Sequence, residues 1–292
     1  MAAASEARDG LLSHDWLGAC RRAAEGLVTV LAEYPTSRER VTETGDRGQG
    51  GDRTLVIDAA AEDAVFAELR ALHEAGARFT AVSEERGIVD FGDPGVLVVI
   101  DPIDGSLNAK RGLTHHALSI AVAEGPTMAD VVFGYVYDLG PREEWRAVRG
   151  EGAFLNDARL DDPLPERRRR DGRLEVVAVE SADPRWLDAS SAALVKVTGR
   201  VRAIGSIAIS LCQVAATRVD GMATLWKCRS VDAAAAQLVV RESGGVVAFP
   251  GAADPLGAPL DLEPRCPVVA ARTPEGLREL ARVPLSPRKT GV

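Results

Sequence analysis

The residues best suited to chemistry stand at the end of one apolar run. In VLVVIDPIDGS, residues 96–106, five apolar side chains lead straight into Asp101, and a second carboxylate, Asp104, precedes Gly105 and Ser106. A run that apolar reads as a buried strand, and an unpaired carboxylate at its end is costly to desolvate. Two readings answer that cost. Asp-Pro and Asp-Gly are ordinary turn dipeptides whose side chains bond nearby backbone N–H groups. Alternatively, two carboxylates projecting from one strand end share hard divalent cations, which take oxygen ligands and neutralise the charge. The second reading requires acids from elsewhere in the chain.

Such acids exist. Glu84 and Glu85 close the strand-like run RFTAVS, residues 78–83, so Glu84, Asp101 and Asp104 converge if the two strands lie side by side and end at one edge. Asp58 and Glu62 are one helical turn apart in VIDAAAEDAVFAELRALHEAG and therefore share a helix face. Asp232 follows Ser230, a helix-capping residue, at a place where an acid also complements the helix dipole. Taken singly, each has a plain alternative: a solvated turn for the Glu pair, a capping acid for Asp232.

The elements that must position these acids follow from periodicity. Behind Ser13 as N-cap, Trp16, Cys20, Ala24, Leu27 and Leu31 recur at helical spacing, and that helix ends before Tyr34 and Pro35. Residues 42–53, TETGDRGQGGDR, read as a Gly-rich polar loop, a length uncommon in compact domains unless functional. The second helix carries Ile57, Ala61, Val65, Leu69 and Leu72 on one face and stops at Gly76. Strands are predicted at 78–83, 96–100, 117–123, 131–138 and 145–149, with a hairpin at RGEGAFLN. The second half alternates: strand LEVVAVE, a helix over 186–196, GSIAISLCQVAATRVDG as a helix, a helix over 230–243, strands VVAF and PVVAA, and a last helix over 274–282. This rhythm predicts an α+β half, residues 1–150, followed by an α/β half, residues 151–292, with the boundary near 150–172.

The order of these pieces resembles the magnesium-dependent inositol monophosphatase family, of the same superfamily as fructose-1,6-bisphosphatase. The most specific element is DPIDGS with Asn108 two residues on; GDRT-x3-D-x3-E, SEE, IGSIAISLCQVAA ahead of VDG, SVDAAA and ESGG agree in order and spacing. The resemblance implies a layered αβαβα sandwich. It also implies Mg2+ held by Glu84, Asp101, Asp104 and Asp232 together with the backbone carbonyl of Ile103. A water is then activated by the hydroxyl of Ser106, where the family usually has Thr, paired with Asp58, and Glu84 serves the catalytic set as well as the metal. Glu62 matches a Glu that orients the site. Gly105 lets backbone N–H groups of the Ser106 segment approach a phosphate closely. The implied reaction is hydrolysis of a small phosphate monoester by metal-activated water. A non-catalytic binding or regulatory protein that keeps the fold is the alternative of another class.

Departures from the family pattern concern the substrate. Asn108 is followed by Ala109, Lys110 and Arg111 where an aromatic is common; these cations either meet a second phosphate or stay solvated, and the solvated reading is preferred. The position seven before Asp232, a ring-binding Glu in inositol-specific members, is Leu225. CRSVD and GGDRT look closer to the archaeal type that accepts both inositol phosphate and fructose 1,6-bisphosphate, with Lys227 and Arg229 as candidate substrate-side cations. A 3′-phosphoadenosine 5′-phosphate phosphatase has the same motifs. His115 and His116, if on a strand, point in opposite directions and make a poor joint metal site.

At 292 residues and 46% hydrophobic composition the chain can bury a large core. A net charge of −8 argues against a nucleic-acid surface, and the basic block at 167–170 reads as a solvated loop. Its four cysteines are scattered, so neither a zinc site nor a disulfide framework is expected. The first ten residues lack a basic and apolar leader pattern, and no run of about 18 apolar residues occurs anywhere. A cytoplasmic protein without membrane partners is therefore expected, and the resemblance implies a homodimer.

Overall fold

Apolar residues at helical spacing build the outermost layer. In the computed structural model, which describes residues 10–41, 43–47, 53–160 and 164–284, helices α1 (Trp16–Glu33), α2 (Ser37–Arg40) and α3 (Val56–Glu74) surround a hairpin of β1 (Glu43–Arg47) and β2 (Arg53–Leu55) in chain order. Asp15 caps α1, its Oδ1 accepting from Gly18 N at 3.0 Å. Trp16, Leu27, Val65, Phe66 and Leu69 of α1 and α3 are buried together against Phe79, Val98, Ile100, Leu118 and Tyr135, one face of a large sheet.

That sheet is formed by β3 (Thr80–Ser83), β4 (Gly87–Asp90), β5 (Leu97–Asp104), β6 (Ala117–Ala123), β7 (Val131–Asp138), β8 (Glu143–Val148), β9 (Gly152–Leu155) and β10 (Ala158–Arg159), with α4 (Ser106–Arg111) between β5 and β6. The strand order is β10-β9-β8-β7-β6-β5-β3-β4, and β3 and β5 alone run parallel. The rest of the chain supplies β11 (Val177–Glu180), α5 (Pro184–Val197), β12 (Val201–Arg202), α6 (Ile207–Ala215), β13 (Gly221–Thr224), α7 (Ser230–Glu242), β14 (Val246–Ala248), β15 (Val269–Ala271) and α8 (Pro274–Leu280). Its five-stranded sheet has the order β12-β11-β13-β15-β14, parallel where β11 meets its neighbours and antiparallel around β15.

Helices α6 and α7 are apolar on nearly every side because they lie between the two sheets. Leu211, Leu238 and Val239 share one core with Val99 and Ala121 of the large sheet and Met222 and Ala270 of the small one. α5 and α8 cover the outer face of the small sheet, where Leu194 and Leu280 pack on Val177, Ala223 and Val269. The layers therefore run helix, sheet, helix, sheet, helix, the αβαβα sandwich expected. Contact between the central layers is close: a Cβ on Gly134 of β7 would lie 2.6 Å from the carbonyl oxygen of Ala235 in α7.

The differences from the sequence reading are local. Residues 43–47 and 53–55 pair as strands where a loop is predicted, because the polar segment carries no alternation that would signal a strand; residues 42 and 48–52 lie outside the described residues. The N-cap of α1 is Asp15 rather than Ser13. GSIAISLCQVAATRVDG is helical to Ala215 only; Thr217 turns the chain at φ 56° and β13 follows. The short strands β4, β10, β12 and β13 gave no signal of their own.

Candidate active site

Register brings the first acids together. Ser83 of β3 lies opposite Ile100 of β5 in the parallel pair, so Glu84, just past the end of β3, and Asp101, still within β5, stand side by side. Asp101 is fixed by the backbone, its Oδ1 accepting from Ile103 N at 2.9 Å. The β5–β6 register then shifts between Asp101 and Asp104, a bulge that re-aims the following side chain. Asp104 turns to the central helices: its Oδ2 accepts from Ser206 Oγ and from Ala208 N, both at 2.6 Å. Gly105 has φ 88°, and a Cβ there would meet the Gly205 carbonyl oxygen at 2.8 Å, so this turn requires glycine. Asn108 Nδ2 donates to the carbonyls of His115 and Ile204, at 2.9 and 2.8 Å, and ties the segment to the same loop.

Asp232 arrives from much later in the chain. It sits in the first turn of α7, Oδ2 accepting from Arg229 N at 3.1 Å. The N-cap is Arg229, while Ser230, expected to cap, donates its hydroxyl to the Asp261 carbonyl. Carboxylate oxygens of Glu84, Asp101 and Asp232 lie within 4.8 Å of one another. Burial raises all of these acids: Asp101 stands well above the usual carboxylate range, Asp104 is pushed up to about 7 and Asp232 to about 6, and Glu84 is raised as well. Repulsion from neighbouring acids adds to this for Glu84, Asp101 and Asp232, whereas Arg229 opposes it for the same three; for Asp104 the repelling acid is Glu180. Oδ1 of Asp232 is buried with no hydrogen-bond partner. Crowded oxygen donors, excess negative charge and an unsatisfied carboxylate oxygen fit a hard divalent cation.

A cavity of about 40 Å3 opens beside this cluster, with Asp58, Glu84, Asp101, Ile103, Ser106 and Lys110 among its lining residues. Asp58 and Glu62 share a face of α3 as the spacing predicts, and both are buried. Glu62 accepts from Ser83 Oγ at 2.6 Å, and burial pushes its carboxyl up to about 7.

Three features depart from expectation. Lys110 is not merely solvated: its Nζ lies 3.4 Å from Asp58 Oδ2 on the cavity wall, while Arg111 is exposed. Arg229, considered for the substrate side, directs its guanidinium at the acids, pairing with Glu84 and lying 3.6 Å from Asp232 Oδ1. His115 is outside β6 at φ 68° and bonds Asp138 at 2.9 Å. Lys227 stands over the Trp226 ring at 6.0 Å, and Trp226 stacks on Trp186. Leu225 is fully buried. The basic block is exposed, Arg168 pairing with Glu279 at 3.1 Å and Arg169 lying 4.0 Å from Asp171.

The model of the inositol monophosphatase family matches residues 14–283 of this sequence. The chain belongs to that family. It is 30% identical over 256 residues to the fructose-1,6-bisphosphatase/inositol-1-monophosphatase of Methanothermobacter thermautotrophicus, covering 80% of this chain and 83% of that one. To the Nus factor SuhB of Pasteurella multocida it is 36% identical over 230 residues, 77% of this chain and 82% of the relative. The crystal structure of the extragenic suppressor protein suhB from Bartonella henselae superposes with a TM-score of 0.72 at 26% identity, covering 94% of this chain and 99% of that one.

Within this inositol monophosphatase family member, sequence reasoning missed the residues that hold the acids. Ser206 and Ala208 fix Asp104, and their signal was present in IGSIAISL, read for resemblance and not for contact. Glu180 ends β11 as Asp101 ends the apolar run of β5; it accepts from Ile204 N, Gly205 N and Ser210 Oγ and so anchors the loop that meets Asp104.

Proposed function

We propose that the protein hydrolyses a small phosphate monoester, inositol 1-phosphate or fructose 1,6-bisphosphate, using Mg2+ held by Glu84, Asp101, Asp104, Asp232 and the Ile103 carbonyl. The observation that carries this reading is the convergence of Glu84, Asp101 and Asp232 from two strands and a helix of the other half, with an unpartnered oxygen on Asp232. Magnesium, when bound, supplies the positive charge that a doubly negative ester and its departing alkoxide require.

The remaining work falls to side chains. Ser106 and Asp58 line the same cavity; the Ser106 hydroxyl orients the attacking water and passes its proton toward the Asp58 carboxylate. Gly105 leaves the backbone N–H groups of the Ser106 segment open to the phosphate oxygens. Glu62 holds Ser83, the last residue of β3, and through it the position of Glu84. Water attacks phosphorus in line, the P–O bond to the alcohol breaks, and alcohol and inorganic phosphate result. We further propose that the chain's two halves, residues 1–150 and 151–292, meet at this site, and that the protein is a cytoplasmic homodimer.

Phosphate release by the purified protein tests the reading, with inositol 1-phosphate, fructose 1,6-bisphosphate and 3′-phosphoadenosine 5′-phosphate offered in parallel. Release should need magnesium, and Asp104→Asn should lower kcat/KM about a hundredfold or more, roughly 3 kcal/mol in the barrier. Release that ignores magnesium or survives the substitution would overturn it. The relatives named Nus factor SuhB favour a second reading, a binding or regulatory protein on the same fold. That reading is the one left if the protein binds magnesium and hydrolyses none of the three esters.

A further inference from the structure

We propose that Arg229 is a resident counter-ion of the acid cluster, and that a divalent cation enters the site by exchanging with its guanidinium. The inference rests on the reading that Glu84, Asp101 and Asp232 hold the cation.

Arg229 is the N-cap of α7, three residues before Asp232, and its side chain reaches back across the cluster. One guanidinium nitrogen pairs with Glu84 Oε1 beyond the end of β3, and Nε lies 3.6 Å from Asp232 Oδ1. These are carboxylates that a cation would need, so the two positive charges compete for the same oxygens. The arginine holds them incompletely. One positive charge faces three crowded carboxylates, and Asp232 Oδ1 keeps no hydrogen bond. A buried carboxylate oxygen left without a donor favours any ligand that satisfies it.

The arginine also has a way out. Its side chain is 27% exposed, against 10% for Asp232, and a guanidinium on a flexible stem can turn toward solvent without disturbing α7. Its backbone N–H stays on Asp232 Oδ2, so the cap survives the exchange. Arg229 thereby does two things: it keeps the metal-free carboxylates together, and it weakens metal binding by the cost of its own displacement.

Titration of the metal-free protein with Mg2+ by calorimetry, on wild type and Arg229→Met, tests this. Arg229→Met should bind on the order of tenfold more tightly and should lose thermal stability in the absence of magnesium, with the loss recovered on saturation. Lys110→Met removes an equal charge from the same cavity without touching the three acids, and its affinity should change less. In wild type, the Arg229 Nε–Hε resonance, assigned by its absence from the variant, should move as magnesium binds. Unchanged or weaker binding by Arg229→Met, or equal tightening by Lys110→Met, overturns the exchange. If Arg229→Met does not fold without metal, Arg229→Lys is titrated instead, and it should also bind more tightly than wild type, by a smaller factor. Absence of saturable binding by wild type, or binding undiminished in Asp101→Asn, instead overturns the metal reading on which the inference stands.

Discussion

Burial treats His116 and the acids in opposite senses, and both effects set the pH behaviour of single residues. His116 is 6% exposed and its Nδ1 has no hydrogen-bond partner; burial, with help from the nearby Arg40, pushes the ring down to about 4 from its ordinary 6.5. Between those values the unfolded chain takes up a proton that the folded chain refuses. Stability from this residue is therefore present above the unfolded value and is lost as pH falls toward the folded one. Urea unfolding of wild type and His116→Phe at pH 7 and pH 4.5 should show wild type losing about 2 kcal/mol more than the variant on acidification. Equal losses would mean that the ring charges freely in the fold.

Elements place these residues, and β7 lies close against α7. Gly134 admits the Ala235 carbonyl where any side chain would overlap it. Gly134→Ala should cost about 1 to 3 kcal/mol by overpacking, lower the melting temperature by several degrees, and weaken magnesium binding, because α7 carries Asp232. A melting curve and a magnesium titration on one sample check both. How far this arrangement was legible depends on the range of the contact. Strands β6 and β7 match their predicted bounds because an apolar run between turn residues is a local property. Asp58 and Glu62 share a face for an equally local reason, helical spacing. The side-by-side exit of Glu84 and Asp101 was legible only as a condition, that two strands be neighbours in register. Family resemblance, not periodicity, singled out Asp232. What stayed hidden depends on distant chain: the grip of Ser206 and Ala208 on Asp104, the turn of Arg229 into the cluster, and the hold of Lys110 on Asp58. Polar pairing of β1 with β2 left no pattern to read.

For the whole molecule, the buried acids make the metal-free fold sensitive to alkali. Asp104 at about 7 and Asp232 at about 6 lie above ordinary carboxylate values, so the folded state holds protons that the unfolded chain has already released. Stability from these groups is full below the unfolded values and is lost as pH rises through 6 and 7. Saturating magnesium should therefore raise the melting temperature more at pH 8 than at pH 5, where protons already occupy the acids. A gain independent of pH would place the cation elsewhere. The site also draws on distant parts of the chain: Asp101 and Asp104 belong to one sheet and Glu84 directly follows one of its strands, while Asp232 belongs to a helix laid over it much later in the sequence. A ribosome releases the first three long before the fourth. During synthesis the early acids wait without their last partner until α7 is made. On this reading the complete metal shell forms only when α7 has docked, so full capture reports that the final layers are in place.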